Sequence, residues 1–152
     1  MEYAREDAPS AHALEEVIGG LEGGSATVFS SGMAAAGAAM DLVPQGAVIV
    51  APSAAYTGVA VRLRELHAIG RIELRIVEVD RTPDVIEACS GAHLLWLESP
   101  TNPLLQVADL SACIDAAHAA GALALVDNTF ATPMLQRPLR DGADIVLHSV
   151  TK

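Results

Sequence analysis

Ala47-Val48-Ile49-Val50-Ala51 is an unbroken apolar run with β-branched residues at its centre, the pattern of a strand buried on both faces. A small-residue helix, from about Met33 to Leu42, precedes it, and Pro44-Gln45-Gly46 makes the turn between them. Downstream the alternation repeats. A helix predicted from about Thr57 to Ile69 leads to a strand at Ile72 to Val79, and one from about Pro83 to Cys89 leads to a strand at His93 to Leu97. A helix from Leu110 to Ala120 leads to a strand at Ala122 to Val126, and Ile145 to Leu147 forms a last strand after Asp141-Gly142-Ala143-Asp144. Helices alternating with apolar strands define an α/β domain with a mostly parallel sheet. Upstream, Leu14, Val17, Ile18 and Leu21 recur at helical spacing after Ser10, the expected N-cap, and Gly23-Gly24 close that helix. Ala26 to Phe29 reads as a short extended segment.

The 152 residues suffice for one domain with a real core. A net charge of −10, with only nine Lys and Arg residues, opposes binding to phosphate backbones and excludes a nucleic-acid partner. No apolar run reaches the roughly eighteen residues of a membrane span. The acidic start, Glu2, Glu6 and Asp7, is wrong for a secretory signal. Cys89 and Cys113 stand alone at a spacing that fits no common zinc or redox motif, so buried reduced thiols in a cytoplasmic protein are expected. The five histidines are scattered without ligand spacing, which argues against a metal site.

In a parallel α/β sheet, ligands gather beyond the carboxyl ends of the strands, and three polar clusters fall there. Ser30-Ser31-Gly32-Met33 opens a helix, whose free N–H groups form either an anion site or simply a capped terminus. Asp127, in Val126-Asp127-Asn128-Thr129, would balance a protonated ring nitrogen or a metal, or else cap the next turn. His148-Ser149-Val150-Thr151-Lys152 offers two hydroxyls and an amine. Lys152 is the only lysine, and eight arginines carry the other basic charges. A phosphate cradle, a ring-nitrogen partner and an amine are together what pyridoxal phosphate requires. Neither G-x-G-x-x-G nor G-x-x-x-x-G-K-[ST] is present, so dinucleotide and P-loop binding have no motif here.

The chain resembles the trans-sulfuration enzymes of Cys/Met metabolism, which include cystathionine γ-synthase, cystathionine γ-lyase, cystathionine β-lyase and methionine γ-lyase. The blocks that carry the resemblance run in order: Ala13-Leu14-Glu15 to Leu21-Glu22-Gly23-Gly24, Ser30 to Ala35, Glu98-Ser99-Pro100-Thr101-Asn102-Pro103, Val126 to Pro133, and His148 to Lys152. It implies the three-layer α/β/α large domain of fold-type I (aspartate aminotransferase-like) pyridoxal-phosphate enzymes. It implies that Lys152 forms the Schiff base and shuttles protons, and that Asp127 pairs with the pyridinium nitrogen. Gly32, Met33, Ser149 and Thr151 would hold the phosphate. Tyr56 would stack on the ring, with Asn102 near the ring hydroxyl and Thr129 beside the ring. Tyr3 and Arg5 match an element that reaches a neighbouring subunit's phosphate, so residues 1–12 are expected to be an arm and the protein a homodimer or homotetramer.

Some positions depart from the family pattern. Ala8-Pro9-Ser10 stands where Asn-Pro-Thr is common, and Thr57-Gly58-Val59 where Gly-Gly-Thr is common. Gly58 occupies the place of a cysteine typical of methionine γ-lyases, which argues against that activity. The expected function is a carbon–sulfur lyase or γ-replacement reaction on a sulfur-containing amino acid. An aminotransferase or other fold-type I enzyme is the alternative within the fold. Residues 13–152 are expected to be the cofactor-binding domain, truncated at Lys152 without the C-terminal small domain. Alone, such a fragment would be inactive, or a silent scaffold or assembly module.

Overall fold

The computed structural model describes residues 8–152. In chain order these form α1 (Pro9–Glu22), α2 (Gly32–Met40), β1 (Ala47–Pro52), α3 (Thr57–Ala68), β2 (Ile72–Val77) and α4 (Thr82–Ala88). There follow β3 (Leu94–Glu98), α5 (Leu110–Ala119), β4 (Leu123–Asp127), α6 (Thr132–Leu135) and β5 (Ile145–Leu147). The five strands make one sheet in the order β2-β1-β3-β4-β5, every pair parallel.

Side-chain alternation explains why the central strands are apolar at every position. In β1, Val48 and Val50 enter one core, whereas Ile49 and Ala51 enter the other. β3 repeats this with Leu95 and Leu97 against Leu94 and Trp96, and β4 with Ala124 and Val126 against Leu125. The first core is closed by Val85 of α4 and by Leu110, Cys113, Ile114 and Ala117 of α5. The second is closed by Ala36, Ala39 and Met40 of α2 and by Val59, Leu63 and Leu66 of α3. Helices on both faces give the three layers expected. The alanines of α2 let its backbone lie close to the sheet, and Cys89 and Cys113 are buried free thiols.

The chain leaves β1 for β2 on one side and then crosses back to place β3 on the other side of β1. That reversal opens a crevice at the carboxyl ends of β1 and β3. The loops after β1, β3, β4 and β5 all emerge at this end.

Several element ends differ from expectation. Ser10 is not the cap of α1: Ala8 holds the extended N-cap position, with φ −136° and ψ 117°, and Pro9 starts the helix because its ring presets φ. Gly23 does close α1, at φ 90°, a left-handed position that glycine reaches without steric cost. Residues 26–29 join no ladder among the described residues, and the Val28 N–H donates to Glu15 Oε1 at 2.8 Å. β2 stops at Val77, the register partner of Pro52, and the Ser53 N–H donates to the Val77 carbonyl at 2.8 Å. The short α6 lies inside a block read only as a motif.

Candidate cofactor site at the carboxyl ends of the strands

Four strands, β1, β3, β4 and β5, lead polar residues into one cavity of about 300 Å³. β4 ends at Asp127, whose Oδ1 accepts the Thr129 N–H at 3.0 Å. Thr129 Oγ1 in turn accepts the Ser149 N–H at 2.9 Å, tying the loop after β4 to the loop after β5. The Ser149 and Thr151 hydroxyls lie 3.3 Å apart. Lys152 Nζ sits 5.7 Å from the centre of the Tyr56 ring.

α2 points its N-terminus at the same place. Ser31 caps it, its Oγ accepting the Ala34 N–H at 3.1 Å, and Gly32 and Met33 occupy the first turn, where N–H groups lack intrahelical partners. A Cβ on Gly32 would stand 3.3 Å from both Cβ and Oγ of Ser149, so glycine allows the close approach of α2 to the Ser149 loop. Tyr56 is the residue before α3, and a Cβ on Gly58 would come within 2.8 Å of both its ring and Met33 Sδ.

Two carboxyls face each other across β3 and β4, where Glu98 and Asp127 are register partners. Burial pushes the Asp127 carboxyl above its ordinary range, against the Thr129 hydrogen bonds that lower it. Burial also pushes Glu98 up to about 6, with the nearby Asp127 adding to the rise, although Tyr56 and Asn102 N–H groups donate to it.

The structure therefore brings Gly32, Met33, Tyr56, Asn102, Asp127, Thr129, Ser149, Thr151 and Lys152 around one cavity. Tyr3 and Arg5 lie outside the described residues. Reading the sequence alone did not single out Glu98, although a charged residue ending an apolar strand is the same signal that marked Asp127. Nor did it single out the buried set behind the site. His148 Nε2 pairs with Glu22 Oε1 at 2.6 Å, and Asn128 Nδ2 donates to the same oxygen at 3.0 Å.

The residues fit pyridoxal phosphate on their own chemistry. A carboxylate only 8% exposed at Asp127 is costly to bury charged, and a cationic ring N–H would offset that cost. A helix N-terminus flanked by two hydroxyls suits a phosphate. The amine of Lys152 completes the set. Among the described residues, no group of three or more His, Cys, Asp or Glu is placed to hold a metal ion, and no helix is long and apolar enough to cross a membrane.

Fold and site together define an α/β cofactor-binding domain with its ligand cavity at the strand ends. The chain belongs to the Cys/Met metabolism PLP-dependent enzyme family, whose model matches residues 1–152. It is 44% identical over 154 residues to cystathionine γ-lyase of Bacillus subtilis (strain 168), a match covering 99% of this chain and 40% of that protein. It is 40% identical over 156 residues to cystathionine γ-synthase of Mycobacterium tuberculosis (strain CDC 1551 / Oshkosh), again 99% of this chain and 40% of the other. The crystal structure of a cystathione gamma lyase from Micromonospora echinospora superposes with a TM-score of 0.91 at 41% identity, over 99% of this chain and 40% of that one. The fold-type I architecture expected from the motifs holds. The chain spans about 40% of the length of these relatives.

Proposed function

We propose that the chain is the cofactor-binding part of a pyridoxal-phosphate-dependent carbon–sulfur lyase or γ-replacement transferase acting on a sulfur-containing amino acid. The cystathionine γ-lyase and γ-synthase reactions are the models. The observation that carries the reading is the convergence of the Lys152 amine, the buried Asp127 carboxylate and the α2 N-terminus on one cavity. Bound pyridoxal phosphate supplies an electron sink for charge developing at the substrate's α carbon.

The protein's own part is to bind, orient and move protons. Gly32 and Met33 N–H groups, with the Ser149 and Thr151 hydroxyls, hold the phosphate. Asp127 would accept the ring N–H and keep that nitrogen protonated, while Thr129 fixes Asp127 from one side and would help hold the ring. Tyr56 and Asn102, both lining the cavity, would hold the ring, Tyr56 by stacking and Asn102 by a polar contact. Lys152 Nζ anchors the cofactor, takes the α proton and returns protons along the substrate. By the family resemblance Tyr3 and Arg5 would bind the phosphate of a neighbouring subunit, which makes the working protein a homodimer or homotetramer, and its expected place is the cytoplasm. The spread of activities among relatives of nearly equal identity, 44, 41 and 40%, leaves lyase and synthase equally supported.

The span of about 40% of the relatives supports a second reading for the 152 residues alone: cofactor binding without turnover. The lone lysine makes the test clean. Borohydride reduction of the chain with pyridoxal phosphate should fix a pyridoxyl group saturably on Lys152, and Lys152→Ala should take none there. Labelling of the N-terminal amine alone, or without saturation, would refute the assignment. In a polypeptide of family length containing this chain, release of α-keto acid and ammonia from cystathionine, O-acyl-homoserines or methionine is expected, rather than amino-group transfer.

A further inference from the structure

Glu98 ends β3 with a side chain that reaches two different loops. Its residue is 5% exposed, yet both carboxylate oxygens have backbone partners. Oε2 accepts the Tyr56 N–H at 2.8 Å, from the loop after β1, and Oε1 accepts the Asn102 N–H at 2.7 Å, from the loop after β3. These loops carry two walls of the cavity, and 42 positions of sequence separate Glu98 from Tyr56. We propose that Glu98 is a positioning residue, a two-armed clamp that holds the Tyr56 wall and the Asn102 wall at a fixed separation. Its consequence for cofactor binding rests on the function proposed above, whereas the clamp itself rests only on these contacts.

The residue type is what the task needs. A buried group that must accept from two backbone donors on opposite sides requires two acceptor atoms, and an ionised carboxylate has them. Hydrogen bonds from amides to a charged acceptor are also about twice as strong as neutral ones. A glutamine of the same shape has one acceptor and one donor, so it satisfies one loop and presents an N–H₂ to the N–H of the other. Simple helix capping of α3 would require only the Tyr56 contact. The Asn102 contact is the part that capping does not explain. The other titratable groups lining the cavity are Tyr56, Asp127 and Lys152, and Asp127, beside Glu98 across the β3–β4 pair, is the anion that opposes its ionisation.

The clamp is read directly at the two protons it holds. In the ¹⁵N-labelled chain without cofactor, at about pH 7.5, amide exchange at Tyr56 and Asn102 should be protected. Glu98→Gln should lower protection at one or both by on the order of tenfold or more, with the core amides of Leu95 and Val126 unchanged. Should Glu98→Gln not fold, the wild-type chain gives the same answer. Corrected for intrinsic rates, protection at Tyr56 and Asn102 should fall together as Glu98 protonates near pH 6, while Leu95 and Val126 do not follow. Protection at Tyr56 and Asn102 that is unaltered in the variant and tracks the strand amides at every pH would overturn the clamp.

Pyridoxal phosphate titration adds the link to the site. About tenfold weaker binding in Glu98→Gln, with Lys152 still labelled on reduction, is expected. Equal affinity would overturn the positioning role. Absence of label on wild-type Lys152 would instead strike the proposed function, leaving the amide result to decide the clamp.

Discussion

The buried Glu98 carboxyl, raised to about 6 from an ordinary 4.5, couples the stability of the fold to pH with a definite sign. In the folded state burial favours the protonated form, so the proton binds more tightly than in the unfolded chain. The stabilisation is therefore complete below about 4.5 and disappears as pH rises through about 6. The interval corresponds to about 2 kcal/mol in full. Between about pH 5 and pH 7.5, the range in which the acidic chain is convenient to study, about 1.2 kcal/mol is lost. Glu98→Gln removes this titration while keeping the shape, so subtracting the variant's stability from the wild type's cancels the groups that do not interact with Glu98 and leaves its titration together with its coupling to Asp127. Urea denaturation followed by circular dichroism at half-unit pH steps measures it. The difference should move by about 1.2 kcal/mol in favour of the variant as pH rises, equivalent to about 2–5 °C in Tm. A flat difference would refute the reasoning, as would one moving the other way. The Glu98 contribution to global stability should thus rise toward acid pH while the local protection at Tyr56 and Asn102 falls, so the two measurements cannot report the same event.

Leu63 of α3, 1% exposed in the core, should cost about 2–5 kcal/mol on change to alanine, measured as a lower urea midpoint at unchanged slope. Glu22→Ala leaves His148 and Asn128 without their shared acceptor, and on the order of 2–4 kcal/mol should be lost in the same assay. The Cys113 thiol is pushed up to about 11, chiefly by burial, with Asp109 and Cys89 adding to it, so it should resist Ellman's reagent at pH 8 until the chain unfolds. Rapid reaction of the folded chain would contradict its burial. Gly32→Ala places a methyl 3.3 Å from Ser149 and should weaken pyridoxal-phosphate binding severalfold, by titration, with little change in the denaturation midpoint.

The strands were legible because both faces of the sheet are covered. β1, β3 and β4 have no polar face, and four or five apolar residues in a row have few other ways to fold. Their polar ends were legible for the same reason, since Asp127 interrupts an apolar run where such a sheet places its ligands. Element ends were less legible where one residue competes with another, as Pro9 does with Ser10 for the start of α1. What reading along the chain missed depends on distant partners. Glu22 meets His148 across 126 positions, and Glu98 meets Tyr56 across 42. No local pattern announces such pairs; only packing α1 against the loop after β5, and β1 beside β3, creates them.

Trp96, the only tryptophan, is fully buried in β3, and its indole N–H has no hydrogen-bond partner among the described residues. It shares its core with Val59 and Leu147, two residues that also line the cavity. The molecule thereby carries its own optical gauge. Emission from so dry a site should be blue-shifted and should move to the red as the layers separate. A pyridoxal chromophore in the neighbouring cavity would absorb across that emission and quench it by energy transfer. One fluorophore thus reports the integrity of the fold by its colour and the occupancy of the site by its brightness.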